Sequence, residues 1–103
     1  MTIYVVHGGS YLCGASYTTE GAEEAMAKQI ERVRENTRRA ELQHNRCFLV
    51  QVTAYKVDTE PTSLTLSETI EELILALRGV TSVTIEVAGT KEKYRIQEID
   101  LAG

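Results

Sequence analysis

The chain has little of what marks several large classes of protein. It has no apolar run near the roughly 20 residues that cross a bilayer, since IEELILAL is interrupted by Glu71 and Glu72. The motifs G-x-S-x-G, G-x-G-x-x-G and G-x-x-x-x-G-K-[ST] are absent, so the sequence indicates no nucleophile elbow and no phosphate-binding loop. We predict no membrane span and no signal peptide, and we expect a cytoplasmic protein.

The chain also has only two cysteines, and its net charge is negative. Cys13 and Cys47 lie 34 positions apart without a C-x-x-C spacing, which favours reduced thiols over a disulfide or a zinc site. We therefore expect no cofactor and no metal. The net charge is −4, with −5 carried by residues 58–103 and +1 by residues 1–57. This balance argues against nucleic acid as a partner, because such binding needs clustered cations.

What is present is typical of one globular α+β domain over residues 1–103. Of its residues, 43% are hydrophobic and 25% charged, as in ordinary folded domains. The patterns predict the order β-β-α-β-α-β-β, with an antiparallel sheet and two helices on one face. The predicted segments are a hairpin at 2–17, a helix at 18–43, a strand at 46–57, a linker at 58–63, a helix at 65–79 and a hairpin at 82–101.

Local signals refine these elements. Thr18 or Thr19 is the expected N-cap of the first helix, and the pair at 44–45 ends it. We expect a capping box at Thr65 and Glu68, a helix stop at Gly79, a central position for strand 46–57, a bulge or a close backbone contact at Gly14, and a bulge or strand end near Gln97. The buried stripe of the first helix has helical spacing: Ala22, Met26, Ile30, Val33, Thr37 and Ala40.

Three stretches of the first half carry a resemblance to known proteins: YVVHGGSY, SYTTEGAEEAMAKQIERV and CFLVQVTAY. Over residues 3–57 the chain resembles short β-β-α-β accessory proteins of bacteriophage and bacterial genomes. In those proteins a strand that ends in an aromatic residue and Ser or Thr precedes an E-x-A-E-x-A helix opening. The resemblance implies a small accessory or host-interaction protein, and it carries over no functional residues.

An uncharged first hairpin indicates an interface. No residue from Thr2 to Thr19 is charged apart from a possible charge on His7, whereas Lys and Arg protect the last hairpin from edge association. The acidic residues of the second half add a possible negative contact surface. We therefore predict a non-enzymatic protein-binding module, of an accessory or inhibitory kind, that forms a homodimer or higher homo-oligomer. The predicted interface residues are Val6, Tyr11, Leu12 and Tyr17.

Two alternatives stay open at this point. The first is an oligomeric protein that binds a small ligand, such as a nucleotide or another anion. Its predicted site residues are the turn and the nearby arginines: His7, Gly8, Gly9, Arg34, Arg38, Arg39 and Arg46. The second alternative is a small enzyme with a thiolate–imidazole pair of Cys13 and His7. No third residue is placed to orient that imidazole, so we name no catalytic residue.

Overall fold

The structure is a computed structural model that describes residues 1–8, 11–64 and 69–101, and of Tyr11 the backbone alone. Over these ranges the chain forms six strands and two helices. In chain order they are β1 Thr2–Gly8, β2 Tyr11–Ser16, α1 Thr19–His44, β3 Val50–Lys56, β4 Thr62–Leu64, α2 Ile70–Ala76, β5 Val80–Val87 and β6 Thr90–Asp100.

The strands form one antiparallel sheet in the order β2-β1-β6-β5-β3-β4. The last hairpin therefore lies in the middle of the sheet, and β2 and β4 are its edges. The predicted α+β class and antiparallel sheet are confirmed. Two details are wrong: β3 is second from an edge, and the expected linker at 58–63 continues into the short edge strand β4.

The irregularity in β2 comes from one extra residue. Val6 pairs with Gly14 and His7 pairs with Leu12, so Cys13 is the additional residue of a bulge. The bulge or strand end expected near Gln97 is not there, because β1 and β6 pair in continuous register from Thr2 to Gly8. Isoleucines 96 and 99 are out of phase because they lie on opposite faces of the sheet.

Helix α1 begins and ends close to the predicted positions. The Thr18 side chain accepts a hydrogen bond from the Gly21 N–H (3.1 Å), and Asn45 closes the helix in the left-handed conformation at φ 51°. A helix of 26 residues is about 39 Å long. Its stripe is buried at four positions and half-buried at Val33 and Ala40, which line a cleft described below.

Helix α2 is much shorter than α1. Its capping box is formed by Thr69 and Glu72, each of which bonds the other's backbone N–H at 3.3 Å. The capping box expected at Thr65 and Glu68 lies outside the described residues. After α2, Gly79 has φ 79°, a conformation that favours glycine and ends the helical segment.

Both helices pack on the same face of the sheet. Their buried side chains and those of one set of alternating strand residues form a single core: Met26, Ile30, Leu73, Leu77, Val6, Val52, Ala54, Val83, Ile85 and Tyr94. The predicted placement of two helices on one face is therefore confirmed. We call the other side of the sheet, which no described helix covers, the open face.

Candidate functional site

Strand β6 separates its charges between the two faces of the sheet. Successive side chains of a strand point to opposite faces, and Tyr94 is buried in the core beneath the helices. Lys91, Lys93 and Arg95 therefore lie on the open face, while the carboxylates of Glu92 and of residues 98 and 100 lie on the helix side. The acidic second half of the chain thus presents a basic row on the open face.

The basic row is bordered by small polar side chains on β5. Lys93 pairs with Thr84, Arg95 with Ser82 and Lys91 with Glu86. Across β5, the next strand adds Gln51, Thr53 and Tyr55 to the same face. The described strand residues of this region carry three cations and one carboxylate, although the chain as a whole has a net charge of −4.

Next to the basic row, the open face has an apolar area. Val5 is 7% exposed, yet it is not part of the core cluster beneath the helices. Its register partners are Gln97 on β6 and Ala15 on β2, and the neighbouring pair on this face is Ile3 with Ile99. The open face therefore combines an apolar area with a row of cations.

The predicted interface residues have different environments. Val6 is 0% exposed in the core beneath α1, so its assignment to an interface is wrong; adjacent valines alternate between faces, and Val6 faces inward. Leu12, within the edge strand β2, and Tyr17, directly after it, are 66% and 68% exposed. The side chain of Tyr11 lies outside the described residues.

The position of the last hairpin in the sheet removes one of the two reasons for predicting an interface at the first hairpin, namely the contrast in charge at a free edge. The cations of the last hairpin were expected to guard a free edge, but β5 and β6 are paired on both sides within the sheet. The uncharged strand β2 nevertheless has an edge without a neighbouring strand among the described residues.

The residues predicted for anion binding do not form one site. Arg34 pairs with Glu31 and Arg38 pairs with Glu35 along α1, and the Arg46 guanidinium lies 5.1 Å from the centre of the Phe48 ring. Arg39 is an exposed residue of α1.

The turn residues of that predicted site lie apart from these arginines. His7 is opposite Arg95 on the open face, on the side of the sheet away from α1. Gly8 packs so closely against Tyr94 that a Cβ there would collide with the ring. Gly9 lies outside the described residues.

Cys13 and His7 lie on opposite sides of the sheet. A Cβ on Gly8 would lie 2.7 Å from the Cys13 Sγ, which places the thiol with Tyr94 on the helix side. Burial raises the pKa of the Cys13 thiol above its ordinary value, the Arg32 guanidinium lowers it, and the Glu92 carboxylate raises it. The geometry therefore does not bring together the thiolate–imidazole pair of the third hypothesis.

The helix side holds a feature that the sequence did not indicate. A cleft of about 520 Å³ lies between the second half of α1 and the β5–β6 hairpin. Its lining includes Arg32 and Glu92, the charged groups that act on Cys13. No short-range signal identifies it, because its two walls come from residues 29–40 and 85–94.

Two further observations concern metals and membranes. Both cysteines are free thiols, and within the described ranges no three His, Cys, Asp or Glu residues form a group able to hold a metal. Neither described helix is long and apolar enough to cross a membrane.

Comparison of the chain with protein-family models, with curated proteins and with solved structures finds no match. The resemblance over residues 3–57 therefore stays a prediction, and a function has to be argued from the geometry of the fold.

Proposed function

We propose that this chain is a non-enzymatic protein-binding module that holds an acidic segment of a partner protein against the open face. The observation that carries the proposal is the row of Lys91, Lys93 and Arg95 on a sheet face that no described helix covers. Exposed faces of this kind, charged beside an apolar area, are typical of interaction surfaces.

The spacing of the row favours an extended segment as its occupant. Residues two apart in a strand are separated by about 7 Å, and alternate side chains of an extended partner have the same separation. Acidic side chains at alternate positions could therefore meet the three cations in register. Apolar side chains farther along the same partner would cover Ile3 and Ile99, which are half-buried, and burial of their remaining exposed area supplies affinity that charge alone does not.

A peptide with Glu at three alternate positions and Leu at the alternate positions that follow, separated by Ser, tests this proposal, and the same peptide with Gln in place of each Glu is its control. We expect the acidic peptide to bind more tightly, and its affinity to fall as salt is raised. Combining Lys91→Gln, Lys93→Gln and Arg95→Gln should weaken binding about tenfold, since three partly exposed ion pairs are lost.

The matched control removes three cations from α1 instead. Lys28→Gln, Arg38→Gln and Arg39→Gln change the net charge equally but leave the open face intact, so binding should be retained. Equal losses in the two triple variants would overturn the open face as the site. Tighter binding of oligothymidine than of the acidic peptide would overturn a protein partner, and binding of neither probe would overturn the proposal itself.

The assembly predicted from the sequence belongs to the same proposal. Strand β2 is an uncharged edge that contains exposed Leu12 and is followed by exposed Tyr17. An edge of this kind pairs readily with a strand of another chain, and pairing of β2 with β2 of a second copy would give a symmetric dimer. A cytoplasmic, phage-type accessory or inhibitory role is the context that we propose for this binding.

A further inference from the structure

The cleft on the helix side arises from a difference in length between two hairpins. The last described pair of β1 with β6 joins Gly8 to Tyr94, whereas β6 extends to Thr90 and α1 extends to His44. The space between α1 and this projecting part of the β5–β6 hairpin is the cleft. Its volume of about 520 Å³ lies within the range of small-molecule sites.

One end of the cleft is polar. Gln29 and Arg32 of α1 are at this end, opposite Glu92 and Tyr94 of β6. Arg32 and Glu92 both act on the pKa of the Cys13 thiol, so both charged groups are on the side of the sheet that holds this thiol.

The other end of the cleft is mainly apolar. Ala40 lies there on α1, and Phe48, Val87 and Ala88 lie on the loop and hairpin side. The backbone N–H of Ala88 donates to the Leu49 carbonyl (3.4 Å), which holds the loop that carries Phe48 against the hairpin turn. From Arg32 to Ala40 the helix rises about 12 Å. The cleft is thus elongated, with a charged end and an apolar end.

The Arg32 guanidinium at the polar end favours an anionic head group. The Glu92 carboxylate lies at the same end, where its Oε2 accepts a 2.7 Å hydrogen bond from the Tyr94 hydroxyl. Arg32 is exposed and forms no ion pair with any acidic residue that the structure describes. The neighbouring amides of Gln29 and Asn36 can donate to the same ligand.

We propose that this cleft binds a small amphipathic carboxylate. Its carboxylate lies on the Arg32 guanidinium, and its apolar chain lies along Val33 and Ala40 towards Phe48. Guanidinium groups bind carboxylates through charge-assisted hydrogen bonds, and the apolar end removes the chain from water. The cleft is on the opposite side of the sheet from the open face, so this inference stands independently of the proposed function.

Calorimetry with unbranched carboxylates from butanoate to dodecanoate tests the inference. Each added methylene should tighten binding about threefold to fourfold until the apolar end is full. Alcohols and primary amines of the same chain length serve as matched probes. We expect the carboxylate to bind most tightly. Tighter binding of the amine would show that Glu92 selects the ligand and would overturn the inference, as would the absence of binding by every carboxylate.

Two substitutions test the two ends separately. Arg32→Gln should weaken carboxylate binding about tenfold and leave alcohol binding unchanged, whereas Arg39→Gln, outside the cleft on the same helix, should change neither. Ala40→Leu should shift the best chain to a shorter one, because the added side chain fills the apolar end. An unchanged chain preference in Ala40→Leu, or an equal loss for carboxylate and alcohol in Arg32→Gln, would overturn the proposed orientation.

Discussion

The Glu23 carboxylate on α1 accepts a 2.9 Å hydrogen bond from the backbone N–H of Gly79, the residue directly before β5. Glu23 is 8% exposed, and this part-buried bond joins residues that are far apart in the chain. It joins the first part of α1 to the segment that leads into the middle of the sheet. The carboxylate therefore stabilises the fold, although a glutamate in a helix is usually exposed.

Glu23→Ala should lower the free energy of unfolding by about 1–3 kcal/mol, because the part-buried hydrogen bond between the carboxylate and the Gly79 N–H is lost. Glu23→Gln keeps an acceptor oxygen and should have a smaller effect. Glu24→Ala is the control, since Glu24 is exposed and pairs with Lys28 at 3.4 Å, and such pairs contribute at most about 1 kcal/mol. Urea unfolding measures all three variants. Equal losses at positions 23 and 24 would contradict the role of the bond.

Substitution by lysine should distinguish Val6 from Leu12. Val6→Lys places a charge in the core and should unfold the domain, since an unpaired buried charge costs several kcal/mol. Leu12→Lys should leave the fold intact, as measured by circular dichroism. A folded Val6→Lys variant would contradict the inward orientation of that side chain.

The same Leu12→Lys variant tests the predicted dimer. Light scattering should show a dimer for the unmodified chain and a monomer for Leu12→Lys, because the added cation opposes pairing of two β2 edges. A monomeric unmodified chain at high concentration would contradict the dimer.

The thiol of Cys13 should react slowly with iodoacetamide, because its raised pKa keeps the thiolate fraction low at neutral pH. The rate should increase as pH rises. Arg32→Gln should slow the reaction by raising the pKa further, and Glu92→Gln should speed it by lowering the pKa. A Cys47→Ser background removes the exposed second thiol. A faster reaction in Arg32→Gln, or a slower one in Glu92→Gln, would contradict the electrostatic assignment.

Local features of the fold could be predicted from the sequence because they depend on nearby residues. The Thr18 cap and the alternating pattern of β5 are examples. Strand β4 was missed because its three residues carry no pattern apart from their pairing with β3. Which of two adjacent valines faces the core was not predictable either, since the register with β6 decides it.

The candidate surfaces show the same limit. The alternation of Lys91, Glu92 and Lys93 is visible in the sequence, but the net charge of each half of the chain does not show which side chains share a face of the sheet. Because the last hairpin lies in the middle of the sheet, this alternation puts Lys91 and Lys93 on the open face and Glu92 on the face that the helices cover. The cleft depends on contacts between α1 and β6, and no pattern within either element predicts such a space.

Nuclear magnetic resonance tests the proposed binding face most directly. The acidic peptide that contains Glu and Leu, titrated into isotopically labelled protein, should shift the backbone amide signals of Lys91, Lys93 and Arg95, and of Thr84 on β5, the partner of Lys93. The signal of Asn36, on the helix side, should stay in place. Shifts confined to α1, with the β6 signals unchanged, would contradict binding at the open face.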